Sequence, residues 1–198
     1  MGSRILGPVA WDTEATRSRL LDAGVRQFAA LGFAGARIDA IARDAGINKE
    51  RVYRYFGDKQ GLFSAVLEHE LDALFDGLEV EVTTPEGIGE FTGRMFDRCL
   101  ARPELPRLLI WESLELEAPV AADSRQPVCA VNATRICDAV RGLGRVESEH
   151  LLLTAISVVV GWWGLSRLAE VVLTDPDAVA VRRQMVVAQM TALAREAG

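Results

Sequence analysis

The chain has 198 residues, 49% apolar and 25% charged, with a formal net charge of -6. That is too apolar for a disordered chain and has no Gly-X-Y period for a fibre. Three scattered cysteines, Cys99, Cys129 and Cys137, cannot build a disulfide scaffold, and an odd count suits a reducing interior.

Ile5 to Trp11 contains Pro8 and lacks a small-residue cleavage site, so a secretory signal is not expected and the cytoplasm is the expected compartment. Between His150 and Arg167 run 16 residues without a charge. A bilayer span needs ~20, and the two tryptophans sit mid-run instead of at its ends, so a buried helix is expected and no membrane partner. The charge is polarised. Residues 1–60 carry ten Lys and Arg against seven Asp and Glu, a net of +3, whereas residues 61–198 carry 12 against 21, a net of -9. A mildly basic head on an acidic body fits an anion-binding module, although +3 over 60 residues also arises by chance.

No strand-like alternation stands out, and the 3.6-residue period recurs throughout. A first helix is expected from about Thr13 to Leu31, with Leu20, Gly24, Phe28 and Leu31 on one face and Gly32 as its stop. Two short helices follow, Ile38–Ala45 and Lys49–Phe56, parted by Gly46-Ile47, with Asn48 as N-cap of the second. Asp58 can cap a fourth from Lys59 to about Leu78, and Thr83-Thr84-Pro85 marks a joint. Further helices are expected near Glu86–Ala101, Glu104–Leu116, Ser124–Leu143, Glu147–Leu173 and Asp177–Ala197, with Pro127 in the first turn of its helix or marking a later start. The expected fold is all-α.

Ile38 to Gly57 has the make-up of a helix-turn-helix unit. Ala42 is small enough for close helix approach, Gly46 suits the turn, and Ile47, Val52 and Tyr55 fall on the inward face. The stretch from Leu20 to Leu67 adds Phe28, Gly32-Phe33, Ala45-Gly46-Ile47, Val52-Tyr53-Arg54-Tyr55-Phe56, Lys59 and Leu62-Phe63. In this order and without gaps, it closely resembles the DNA-binding domain of the TetR family of transcriptional regulators. The sequence departs from the family at Ala36-Arg37, where Thr or Ser is usual, at Asn48 in place of Ser, and at Glu50-Arg51 in place of a small pair.

The resemblance implies a three-helix DNA-binding domain over residues 1–57, with 1–11 as a flexible arm, joined to a larger helical effector-binding and dimerisation domain over 58–198. It implies double-stranded DNA as a partner, with the Lys49–Phe56 helix in the major groove. Lys49 and Arg51 are candidate base contacts, Arg51 because its planar fork pairs bidentately with guanine. Glu50 could accept from a cytosine amine or merely complement the helix dipole. Tyr53 and Arg54 match positions that contact phosphate in the family. Lys59, at a helix N-terminus, and Arg37 are further phosphate candidates, with Asn48 beside them at the cap. A solvated surface is the plain alternative for each.

A palindromic operator calls for a two-fold dimer. The apolar helix through Ile156, Val159, Val160 and Trp163 and the stripe Val179, Val186, Met190 and Leu193 together suit a four-helix interface, and the family resemblance implies the same pair. Family analogy also implies an effector pocket, here with Met95, Cys99, Trp111, Glu115, Asn132 and Trp162 as candidate lining. Trp111 beside Glu112 and Glu115 would suit a cationic ligand, against the ordinary alternative of a core aromatic and water-facing carboxylates. The expected function is a ligand-responsive repressor whose hinge is the Lys59–Leu78 helix. An effector-independent regulator, controlled by a protein partner or by abundance, is the alternative. No catalytic triad, phosphate loop or metal-ligand spacing occurs, so neither an enzyme nor a cofactor is expected.

Overall fold

The computed structural model describes residues 10–76, 83–175 and 178–197, which form ten helices with no strand among them. The head comprises α1 (Ala10–Gly35), α2 (Ile38–Ala45) and α3 (Lys49–Phe56). The long α4 (Lys59–Phe75) leads into the body, made of α5 (Pro85–Ala101), α6 (Glu104–Glu115), α7 (Ala122–Ala139), α8 (Arg145–Gly164), α9 (Ser166–Val172) and α10 (Ala178–Glu196).

The short head helices owe their boundaries to local chemistry. Asn48 accepts from the Glu50 amide at 3.0 Å and Asp58 from the Gly61 amide at 2.7 Å, capping α3 and α4. Gly46 ends α2 at φ 66°, a left-handed conformation that a side chain would strain. At the start of α2 stands Arg37, which supplies no side-chain cap, as the missing Ser or Thr implied. Gly32 behaves differently from expectation: it is a kink (φ 77°), and the helix resumes beyond it to Gly35. The arm expected over 1–11 lies outside the described residues up to position 9, while Ala10 and Trp11 belong to α1.

Phe28, Phe33 and Phe63 form the centre of the head, with Phe63 edge-on to Phe28 at 5.0 Å and to Phe33 at 5.5 Å. Leu20, Ile41, Leu62 and Val66 surround them without exposure. Gly24 lets α4 approach α1, since a Cβ there would stand 2.6 Å from Val66 Cγ2. Leu31, expected on the buried face, is 52% exposed.

In the body, Thr84 caps α5 by accepting from the Gly87 amide at 3.3 Å, with Pro85 in the first turn. α10 lies along α5, where a Cβ at Gly93 would reach 2.7 Å from Val187 Cγ2. Val186, Met190 and Ala194 are the buried residues of α10. Arg183–Asp97 (2.7 Å) and Arg195–Glu86 (2.6 Å) tie its rim.

Several boundaries differ from the sequence expectation. The single helix over Glu147–Leu173 is two, α8 and α9, bent by 79° at Gly164-Leu165. α7 begins at Ala122, so Pro127 sits in its second turn, and the preceding Ala121 is left-handed at φ 52°. α4 ends at Phe75, and the expected end at Leu78 lies outside the described residues, as does the expected start of the last helix at Asp177. Among the described residues no single helix is long and apolar enough to cross a membrane, although the bent α8–α9 pair passes by length and composition.

Candidate nucleic-acid interface and inner cavity

Helix α3 turns Val52 into the head core and leaves Asn48, Lys49, Glu50, Tyr53 and Arg54 on the outside, with Arg37 exposed at the start of α2. The i, i+3, i+4 spacing of an α-helix produces this division. Tyr53 is 44% exposed, which leaves its ring and hydroxyl accessible on the outer face of α3. Lys49 reaches back to Asp39 of α2 at 2.7 Å and lies over the Tyr53 ring at 5.9 Å. The hydrogen bond to Asp39, followed by that carboxylate's charge, raises the Lys49 pKa above its ordinary value. Arg51 is half-buried and has an interaction partner within the fold. To contact a base, Lys49 and Arg51 must exchange an existing interaction for the new one.

Lys59 differs most from its assigned part. Its ammonium donates to the Ala34 carbonyl at 3.2 Å and lies 4.9 Å over the Phe33 ring. Burial lowers its pKa, against the raising effect of Glu115. Here Lys59 fastens the start of α4 to the end of α1. A cation that the sequence reading passed over, Arg17, lies 5.9 Å from the Phe56 ring at the end of α3. Its place one turn before Leu21 on the first helix was the available signal.

Trp111 and Glu115 are not among the residues that line the inner cavity. Trp111 donates its indole N–H to the Ala29 carbonyl at 3.3 Å, and Glu115 accepts from the Ala34 amide at 2.8 Å. Both carboxylate oxygens sit against Gly32, where a Cβ would fall 2.9 Å from Oε1. The kink thus makes room for α6 to hold the last turn of α1. Glu112, one turn earlier, is buried and accepts from Arg125 at 2.7 Å and from the Val120 amide at 2.9 Å.

A cavity of about 380 Å³ opens among α4, α5, α6, α7 and α8. Its wall is mostly apolar: Leu71, Leu74 and Phe75 from α4, Leu105 and Leu109 from α6, and Val128, Ile156 and Val160 beyond them. Met95 and Cys99 line it as expected. Burial pushes the Cys99 thiol up to about 12, so it stays protonated and unreactive. The polar members are Glu68, Asp72, Ser124 and Arg125, with Cys129 at the margin. Trp162 is elsewhere, beside Phe96 and in a groove under α9, and Asn132 is buried on α7 away from the cavity lining. The sequence reading missed the α4 contributors because that helix was taken only as a hinge. Among the described residues no three or more His, Cys, Asp or Glu side chains converge as a metal site.

Two family models match the chain: bacterial regulatory proteins of the tetR family over residues 20–66, and the tetracyclin repressor-like C-terminal domain over residues 87–192. The transcriptional repressor SCO4008 of Streptomyces coelicolor is 44% identical over 106 residues, 54% of this chain and 54% of that protein. The repressor NicS of Pseudomonas putida is 34% identical over 119 residues, 58% of this chain and 56% of that one. The alignments therefore span about half the length of these curated relatives. The crystal structure of SCO4942 from Streptomyces coelicolor superposes with a TM-score of 0.73 at 32% identity, covering 90% of this chain and 97% of that one. These relatives are regulators of transcription and not enzymes. With both segments matched and the whole fold shared, the chain belongs to the TetR family of bacterial regulatory proteins.

Proposed function

We propose that this chain is a cytoplasmic DNA-binding repressor that holds a palindromic operator as a homodimer and releases it when a small molecule fills the inner cavity. Residues 1–57 read DNA, and residues 58–198 bind the effector and the second copy. Phosphate contacts come from Arg37, Tyr53 and Arg54, with Asn48 at the start of α3, while Lys59 holds the start of α4 against α1. Base contacts come from Lys49 and Arg51, and Glu50 tunes the same edge.

The observation that carries this reading is the double use of α6. Leu105 and Leu109 form cavity wall, while Trp111 and Glu115, both within two turns of Leu109, hold the end of α1 next to the helix-turn-helix unit. A ligand that displaces the wall moves the helix that positions the head, a shorter route than bending α4 alone. The ligand need only favour the released state by a few kcal/mol.

The dimer is supported by apolar surface that one chain leaves uncovered. Of the residues expected at the interface, Val186, Met190 and Val159 are buried within the chain and Ile156 and Val160 line its cavity, so the partner face comprises Leu153 of α8, Val181, Met185 and Leu193 of α10, and Leu168, Val171 and Val172 of α9. Recognition helices related by a two-fold axis would then meet successive major grooves ~34 Å apart or somewhat more.

Selection of bound fragments from genomic DNA, with light scattering on the complex, tests the whole. An inverted repeat bound by two chains is expected, and a monomer on an asymmetric site overturns it. Glu115→Ala should leave operator affinity within about threefold in the absence of effector while weakening ligand-driven release at least tenfold. Full release by this variant would rule out the α6 route.

A further inference from the structure

The cavity's charge balance indicates what it admits. Most of the wall has no hydrogen-bonding group, which disfavours sugars, nucleotides and other ligands needing many polar partners. Arg125, the lone cation in the lining, is already committed: one nitrogen donates to both oxygens of Glu112 and to the Val120 carbonyl. The lining carboxylates are not neutralised in this way. Glu68 receives only the Ser124 hydroxyl, at 2.8 Å, and a hydroxyl brings no charge. Asp72, four residues along α4, is exposed at the mouth of the cavity and has no side-chain hydrogen bond or ion pair among the described residues. Two carboxylates at i and i+4 on one helix face leave two like charges at the mouth with no cation between them.

We propose, on the reading of this cavity as the effector site, that it takes an amphiphilic organic cation. The tail lies among Leu71, Leu105, Leu109 and Ile156, and the ammonium head rests between Glu68 and Asp72. Phe75 is the single aromatic in the lining, so no aromatic cage selects a methylated head, and the carboxylates carry the recognition. An anionic amphiphile such as a fatty acid would place its charge against the same two carboxylates, with the Arg125 charge already balanced by Glu112. The carboxylate role expected of Glu115 thus belongs to a different helix.

Three probes with one chain length and different heads separate the possibilities: decyltrimethylammonium, decanol and decanoate, titrated calorimetrically below their aggregation limits into the full chain. The cation is expected to bind at least tenfold tighter than decanol, with decanoate weakest. Glu68→Gln combined with Asp72→Asn should bring the cation down to the level of decanol and leave decanol unchanged, which also reports an intact cavity. Leu109→Trp, which fills the space, should abolish binding of all three. Decanoate binding as tightly as the cation, or a preference that survives the double substitution, overturns the charge assignment while leaving the cavity as effector site. Binding of none of the three, or cation binding that persists in Leu109→Trp, overturns the effector-site reading itself.

Discussion

The head and the body bury apolar surface in opposite ways. In the head, Leu20, Phe28, Ile41 and Val52 are at most 1% exposed, and Phe63 packs edge-on to Phe28 at 5.0 Å and to Phe33 at 5.5 Å. The body has a cavity of about 380 Å³ inside and uncovered apolar side chains outside, with Val171 80% and Val172 66% exposed. A module that must present the same face to DNA every time gains from a solid core, because close-packed interiors do not deform gradually. A module that admits a ligand and a second copy is left incomplete in both places. The two meet where α4 and α6 pack along α1, with polar contacts at Ala29 and Ala34 fixing the end of that helix.

The contrast can be broken at its strongest point by Phe28→Ala. This should cost about 3–5 kcal/mol, lowering the thermal midpoint and abolishing DNA binding, because the ring contacts both Phe33 and Phe63. A loss below 1 kcal/mol would mean the head is looser than its packing suggests. A smaller effect belongs to Asn48→Ala, which removes the α3 cap and should cost about 1 kcal/mol by chemical denaturation. DNA affinity should fall along with it, and Asn48→Asp should restore most of the stability.

The smallest effect sharpens the view of the body. At pH 8 a thiol reagent should modify exposed Cys129 promptly and leave Cys99 untouched until the chain unfolds. With a folded-state value of about 12 above its ordinary 9.0, the Cys99 thiol keeps its proton in the folded chain when the unfolded chain has lost it. Its contribution to stability is therefore complete below pH 9 and is lost as the pH rises toward 12. Equal labelling of both cysteines in the native state would mean the cavity breathes open on the reagent's timescale.

The head was legible in the sequence because its signals are local. Asn48, Asp58 and Gly46 each act within one turn of themselves, and Ile41, Ala42 and Val52 obey a period set by the helix alone. The body was legible as helices but not as a site. Trp111 beside Glu115 is a spacing that fits a ligand pocket and a helix–helix joint equally well. The choice between them depended on the Gly32 kink of α1, some 80 positions away, which opens the space that Glu115 enters.

The amino-acid order by itself determined which segments are helical, where the short ones begin and end, and which cations line the outer face of α3. Nearest-neighbour physics fixes those features before any long-range contact forms. The tertiary structure decided that Lys59 and Glu115 clasp the head to the body, that Val186 and Met190 serve their own chain, and that Glu68 and Asp72 border the cavity. Each of these depends on which faces of distant helices meet, and helical periodicity identifies a face without naming what it meets.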